Sequence, residues 1–480
     1  VDPPTLRAVR LVSFAGPLHE AVLVALAGAD AVADARAREL LLPARPGVLA
    51  VGHPMVAEIV MASCATGDQE ELLQAAVDAV LAAPDAGSEW AVPLASWVVA
   101  LADRGMVQPD RLLRVATRMV ANLRPDLGEQ LALAAASAGE VGARPLVART
   151  RAMQGRESGE PHVSATEAFE AAVGSLEAFI LGFVDGPTCR AAFDRALVVT
   201  HGRDRDELVV LDAAFAMYSG RHADSAIEQL TLAVHAHDGE QLACIAGANA
   251  IVGLTEVGRF RAALEVGEVM ARSGAGDNAY HAVQMSFSSA EALHRLGRRA
   301  EALSLADERL VHGPGATSPM AAMFGAALVA QVALADGRPD LAAPQLGTMI
   351  AAMGGLDAAG IGSWAARGLR LCRVWSGDRT AADGRIAPVP PHGVFQEFVC
   401  RLLEVQTTLA AGQRRAAHAA ALDLAHDAAT LGHWFVALRA AHLACTVAPT
   451  RALADWTAEL ASRCDGELAA ALAEHAGWSA

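Results

Sequence analysis

The 480-residue sequence contains no lysine, because each of its 38 basic residues is an arginine. A phosphate loop ending in Gly-Lys-Ser/Thr, a kinase site and a Schiff-base site all require an ε-amine. Paired catalytic carboxylates of the DDxxD type are missing as well. We therefore expect that this chain is not an enzyme and that it neither binds nor hydrolyses ATP by itself.

Aromatic residues are scarce at 4%, with two tyrosines, whereas hydrophobic residues make up 53% of the chain. This composition is typical of closely packed helices and argues against a β-sandwich or barrel. The seven cysteines include no CxxC motif, and most of them stand in apolar helical stretches. We interpret them as small buried hydrophobes in a reducing compartment, and expect a cytoplasmic protein.

Basic charge is also in deficit, since 38 Arg face 54 Asp and Glu for a net charge of -16. Phosphate-backbone binders rely on basic patches, so we expect no direct contact with nucleic acid. The longest uncharged stretch, 313–335, leaves only Met320 to Ala335 as uninterrupted helix. This is shorter than the ~20 residues of a membrane span. The first residues lack the basic region of a signal peptide.

A helix-turn-helix pattern recurs at steps of 35 to 40 residues, with a turn glycine followed by a polar residue. In most copies an alanine stands five positions after the glycine. Glycine takes a left-handed helix cap without steric cost, and the small alanine lets the second helix pack closely. The predicted turn glycines are Gly220, Gly258, Gly297, Gly337, Gly377 and Gly412.

Looser copies follow Gly105, Gly142 and Gly186, giving about eight or nine hairpins in all. The turn with Phe260 and Ala263 resembles the tetratricopeptide repeat. The sequence therefore predicts an all-α fold in which residues 66–480 form a tetratricopeptide-like superhelical solenoid. In a solenoid each repeat contacts only its neighbours.

The first 65 residues do not follow the repeat. They predict helices over 6–27, with a break at Gly16-Pro17, and over 31–42, then a strand over 47–51 and a helix from Pro54. This order suits a small winged-helix module at residues 1–65.

The segment from Gly47 to Val60, with His53-Pro54-Met55 at its centre, resembles a passage of large ATP-binding LuxR-type regulators. These MalT-like proteins belong to the signal-transduction ATPases with numerous domains. In that family the passage lies in a winged helix, between a nucleotide-binding core and a tetratricopeptide-like sensor. The segment 437–466 is similar to a late repeat of the same family.

The resemblance implies that this chain is part of a longer protein, with an ATPase core before residue 1 and a LuxR helix-turn-helix after residue 480. ATP or ADP would then be a cofactor of the flanking core only. The resemblance also implies that His53 senses nucleotide by reaching the terminal phosphate of bound ADP. The alternative is that His53 simply caps the helix that starts at Pro54.

Four histidines, His418, His426, His433 and His442, lie close together in sequence, but they lack the spacing of a zinc site, so we expect no metal. The leading functional hypothesis is the sensor portion of a LuxR-type transcriptional regulator. Its helical repeats would bind a protein or small-molecule inducer and relay the signal to the flanking ATPase. The alternative is a free-standing helical-repeat scaffold for protein binding.

Overall fold

The structure is a computed structural model. It describes residues 1–45, 47–82, 91–102, 104–121, 124–156, 164–180, 182–220, 223–236, 241–272, 279–312, 319–352, 360–383 and 394–480. The chain forms two compact units, Val1–Thr150 and Arg151–Ala480, and we describe each by itself. The predicted domain boundary at 65/66 falls between two helices of the first unit and stays a prediction.

The first unit opens with helices around a small sheet. Asp2 caps the first helix by accepting a 3.0 Å hydrogen bond from the Thr5 amide, and two prolines occupy its first turn. The elements are α1 (Pro3–Ala15), β1 (Leu18–His19), α2 (Glu20–Ala27), α3 (Ala29–Ala37), β2 (Leu41–Arg45), β3 (Val48–Val51) and α4 (Pro54–Ala62).

The sheet is antiparallel with the order β1-β3-β2, so β3 is central. Leu18 of β1 and Pro43 of β2 both pair with Leu49 of β3. The helix predicted over 31–42 was too long, because α3 ends at Ala37 and β2 begins at Leu41. Sequence reasoning missed β2, since Leu-Leu-Pro-Ala-Arg has no alternation of apolar and polar residues.

The remainder of the first unit is helical, and α1 packs against the first helix of this group. Its helices are α5 (Thr66–Ala82), α6 (Ala91–Ala102), α7 (Pro109–Ala121), α8 (Pro125–Ser137) and the start of α9 (Ala143–Met153), in which the unit boundary falls.

The second unit consists of successive helices that pack mainly as antiparallel hairpins. They are α10 (Ala165–Ile180), α11 (Gly186–Val199), α12 (Arg203–Tyr218), α13 (Ala223–Ala236), α14 (Gln241–Glu256), α15 (Phe260–Arg272), α16 (Ala279–Arg295), α17 (Arg299–Ala306), α18 (Pro319–Ala335), α19 (Pro339–Ala352), α20 (Ile361–Trp375), α21 (Val394–Ala410), α22 (Arg414–Thr430), α23 (Trp434–Val447), α24 (Arg451–Ala461) and α25 (Glu467–Ser479). A π-turn (Asp307–Val311) extends α17, and a short 3-10 helix (Arg379–Asp383) follows α20.

All six predicted turn glycines have φ between 63° and 101° and follow the end of a helix by two residues. The backbone closes the turns at Gly258, Gly297, Gly337, Gly377 and Gly412 in the same way: for example, the amide of Arg259 donates to the carbonyl of Leu254, and the amide of Arg298 donates to the carbonyl of Leu293. This six-residue hydrogen bond defines the Schellman cap, which requires a left-handed residue.

The looser assignments upstream need correction. Gly105 is left-handed as predicted, but Gly142 and Gly186 are not. Gly139 and Gly182 take the left-handed positions after α8 and α10 instead. The predicted turns were displaced because Gly142 directly precedes α9 and Gly186 begins α11, and glycine also occurs at helix starts.

The end of the second unit folds back onto its middle. The Asp465 amide donates to the Gly258 carbonyl at 2.9 Å, and the Asp465 carboxylate accepts from the Arg261 amide at 3.0 Å. The rings of Phe260 and Phe435 meet edge to face at 5.2 Å. The expectation that repeats contact only their neighbours is therefore wrong for this unit. We call this contact between α14–α16 and α23–α25 the closure.

The predicted all-α, helical-repeat fold class is confirmed, since helices dominate both units and the sheet is small. Across the described ranges, no helix combines the length and the apolar character that crossing a bilayer would demand. All seven cysteines are free, and six of them are buried, as their interpretation as small hydrophobes predicted.

Candidate functional site

His53, the residue singled out by the sequence, lies directly after β3 and caps α4. Its Nδ1 accepts a 3.2 Å hydrogen bond from the Met55 amide, and the imidazole is exposed. The capping role therefore exists. It engages one ring nitrogen only, and within the described part of the chain Nε2 makes no hydrogen bond. A phosphate contact through Nε2 is compatible with this geometry.

An apolar surface adjoins His53 on α4, and sequence reasoning missed it. Met55 is 59% exposed, Ile59 is 63% exposed, and Met61 is also exposed. Met55 and Ile59 are four residues apart and so lie on one helix face. Their spacing is that of a core-facing stripe, so their exposure could not be predicted from the sequence. We call the face that presents Met55 and Ile59 the α4 surface.

The second unit contains a buried ionic cluster at the closure that the sequence did not reveal. The Arg295 guanidinium donates to Glu291 at 2.6 Å and to Glu256 at 3.3 Å, and it lies 5.1 Å from the Phe435 ring centre. All three charged residues are less than 10% exposed. One cation therefore lies between two carboxylates in the core.

Burial favours the neutral acid at Glu256. It raises the pKa of Glu256 to about 7, with Glu291 adding repulsion and Arg295 opposing the shift. The neutral form of Glu256 therefore becomes dominant as the pH falls below about 7. Burial, together with Arg295, also lowers the pKa of Arg439 to about 10, which leaves that guanidinium charged. The cluster connects α14, α16 and α23 through the contacts of Arg295 with Glu256 and Phe435. None of its side chains is a nucleophile.

Two histidines border the cluster, the buried His433 and the half-buried His294, and both have a buried ring nitrogen without a hydrogen bond. His433 is 3% exposed, and neither ring nitrogen finds a hydrogen-bond partner among the described residues; the same holds for Nδ1 of His294. Burial, with a smaller contribution from the Arg295 charge, lowers the pKa of each to about 4. Both imidazoles are therefore neutral at physiological pH.

The other histidines of the C-terminal region do not converge. His426 stacks on Trp456, His418 contacts the Ala444 carbonyl, and His442 contacts His475 at 3.0 Å between ring nitrogens. Over the ranges that the structure describes, no group of three or more His, Cys, Asp or Glu side chains could hold a metal ion.

We expect the closure to make Gly258→Ala more damaging than Gly337→Ala. Both glycines are left-handed, which alone costs about 1 to 2 kcal/mol for an alanine. A Cβ on Gly258 would also lie 2.7 Å from the Cys464 sulfur, whereas a Cβ on Gly337 meets nothing within 4 Å. Urea denaturation should show the larger loss for Gly258→Ala; equal losses would contradict the closure.

The buried histidines predict acid sensitivity of the second unit. Their folded pKa values near 4 lie below the ordinary value of about 6.5, so stability falls as pH drops from about 6.5 to 4. Glu256 acts oppositely, because its raised pKa stabilises the fold below about 7. The several histidines, His442 included, should outweigh it.

We therefore expect His433→Phe to reduce the acid-induced loss of unfolding free energy by about 1 to 3 kcal/mol. His426→Phe is the matched control, since the His426 ring is exposed and stacked on Trp456. Denaturation at pH 7 and pH 4.5 measures both variants. An unchanged pH dependence in His433→Phe would refute a buried, neutral imidazole.

Compared with known proteins, the chain matches no protein-family model and no curated protein sequence.

Proposed function

We propose that this chain is the sensor portion of a LuxR-type, ATP-dependent transcriptional regulator in the cytoplasm. Residues 1–65 would form a winged-helix relay, and the helical hairpins would bind a protein or small-molecule inducer. The relay would act on an ATPase core, and a helix-turn-helix would read DNA, both in flanking sequence. ATP or ADP would be held by that core and not by this chain.

The observation that carries the proposal is the pairing of His53 with the α4 surface. An exposed imidazole with an unused Nε2 lies beside exposed methionine and isoleucine side chains. Apolar groups exposed together mark an interaction site more often than exposed single residues do. A nucleotide-binding domain docked on the α4 surface would bring its bound phosphate within reach of His53.

The charges of the N-terminal module support a protein partner over DNA. Arg36 pairs with Glu20 at 2.7 Å, and Arg38 pairs with Asp34 at 2.8 Å. These arginines are therefore partly neutralised by neighbouring acids. A DNA-reading winged helix would instead present a clustered basic face.

The reading frame on either side of codons 1 and 480 tests the proposal against a free-standing scaffold. We expect a Gly-rich phosphate loop with its lysine upstream and a helix-turn-helix downstream. Stop codons close to both ends, or flanking domains of another kind, would reject the regulator. The chain would then be better described as a protein-binding scaffold of helical hairpins.

A further inference from the structure

A surface groove runs between α13 and α15, the second helices of two consecutive hairpins. Both helices pack against α14, which closes the bottom of the groove with Leu254. The volume of the groove is about 690 Å³. Asp224 at the start of α13 pairs with Arg259 just before α15 at 3.3 Å, so the two helices begin at the same end.

The floor of the groove is apolar. Ile227 on α13 and Val266 on α15 are buried at the base of the groove, and Val269 on α15 is half-buried. Leu232 is 61% exposed although it belongs to this apolar lining. A leucine exposed to this degree beside buried aliphatic side chains offers a partner a continuous apolar strip.

The rims of the groove are acidic. Glu228 stands on α13, and Glu265 and Glu268 stand on α15, all of them exposed. Within the described residues no hydrogen bond or ion pair engages Glu228 or Glu265. Arg259 is paired with Asp224, so Arg272 is the remaining arginine of the lining, and it lies at the far end. The rims therefore carry an excess of negative charge.

We propose that this groove binds a basic amphipathic helix of a partner protein. Helices α13 and α15 have 14 and 13 residues, a length of about 20 Å that matches three to four turns of a bound helix. The apolar face of such a helix would cover Leu232 and Val269, in the helix-in-groove manner. Its basic flanks would meet Glu228 and Glu265, and this complementarity would select it over an acidic helix.

This inference rests on the part of the proposed function that assigns partner binding to the helical repeats. It needs neither the ATPase core nor the DNA-binding domain. If the reading frame rejects the regulator, helix binding to this chain still supports the groove. If the helix fails to bind, the regulator proposal is unaffected.

The test is fluorescence anisotropy of the full chain with two labelled helical peptides of about 15 residues. Both carry leucine at positions i, i+3, i+4 and i+7; one has arginine and the other glutamate on the remaining face. We expect the basic peptide to bind at least about tenfold more tightly than the acidic one. Leu232→Ala should weaken the basic peptide about fivefold.

Matched variants separate the groove from general attraction to a chain of net charge -16. Leu341→Ala removes a leucine that is 50% exposed on α19 and should leave binding unchanged. The double variant Glu228→Gln, Glu265→Gln should weaken binding and flatten its salt dependence, whereas Glu474→Gln on α25 should not. Circular dichroism confirms that each variant folds.

Three results would overturn the proposal. The first is no measurable binding of the basic peptide, and the second is equal weakening by Leu232→Ala and Leu341→Ala. The third is a dimer of the chain, seen by sedimentation, that Leu232→Ala dissociates, because the occupant would then be a second copy of this chain.

Discussion

Replacing Gly52 by alanine should destabilise the N-terminal module by about 2 to 3 kcal/mol. A Cβ at this position would overlap the carbonyl oxygen of Glu39. The same Cβ would lie 3.3 Å from the carbonyl carbon of Glu39. The Gly52 amide also donates to the Leu40 carbonyl at 2.9 Å, which fixes the two segments together. Because the obstacle is backbone, no side chain can move aside.

Gly67→Ala is the control for this substitution. Gly67 lies in the first turn of α5, and a Cβ there meets nothing within 4 Å. Thermal unfolding should show a neutral or slightly stabilising effect, since alanine restricts the unfolded chain. Glu39→Gly should instead raise the free energy of unfolding, because Glu39 has φ 57° and glycine removes about 1 kcal/mol of backbone strain. Equal stability of Gly52→Ala and Gly67→Ala would contradict the close approach.

Replacing Arg295 by methionine should cost the second unit about 3 to 5 kcal/mol. The substitution leaves Glu291 charged and 8% exposed without its 2.6 Å partner. It also removes the guanidinium from the face of Phe435 and a hydrogen bond to the Thr255 carbonyl. Urea denaturation of the second unit's unfolding transition measures the loss.

Variants of the two carboxylates show whether Glu291 or Glu256 causes the loss of stability in Arg295→Met. Glu291→Met together with Arg295→Met should recover much of the loss, because well-packed apolar residues often replace a buried ion pair without penalty. Glu256→Gln at pH 6 should cost less than about 1 kcal/mol, since burial keeps that carboxyl largely protonated there. If the Glu291→Met, Arg295→Met double variant were as unstable as Arg295→Met alone, the unpaired Glu291 carboxylate would not be the cause of the lost stability.

The repeat could be read from the sequence because its signal is local. A left-handed cap requires glycine, so Gly258, Gly297 and Gly337 recur at the spacing of a hairpin. The shifted turns at Gly142 and Gly186 mark the limit of this reasoning, because a nearby glycine can serve a helix start equally well. Strand β2 was missed for a different reason, because its residues lack a periodic pattern.

The closure could not be read from the sequence, because it joins residues that are distant along the chain. Gly258 meets Asp465 across 207 positions, and Arg295 meets Phe435 across 140. No spacing rule links such residues. Leu232 and Ile59 were missed for another reason: apolar residues at helical spacing predict a buried face, and only the neighbouring helices decide whether that face is covered.

The proposed role of His53 is tested most directly by the release of ADP from the full-length regulator that we propose. His53→Asn keeps a side-chain acceptor for the cap of α4 but removes the imidazole Nε2. His19→Asn is the matched control, because His19 caps α2 in the same way, with Nδ1 accepting from the Ala21 amide at 3.3 Å. Both variants thus change a capping histidine to asparagine, and only one alters the proposed phosphate contact.

We expect His53→Asn to release ADP about 10- to 100-fold faster than the parent protein, the effect of losing one charge-assisted contact. His19→Asn should release it at the parent rate. Equal ADP release by the parent protein and both variants would show that His53 is a helix cap and nothing more.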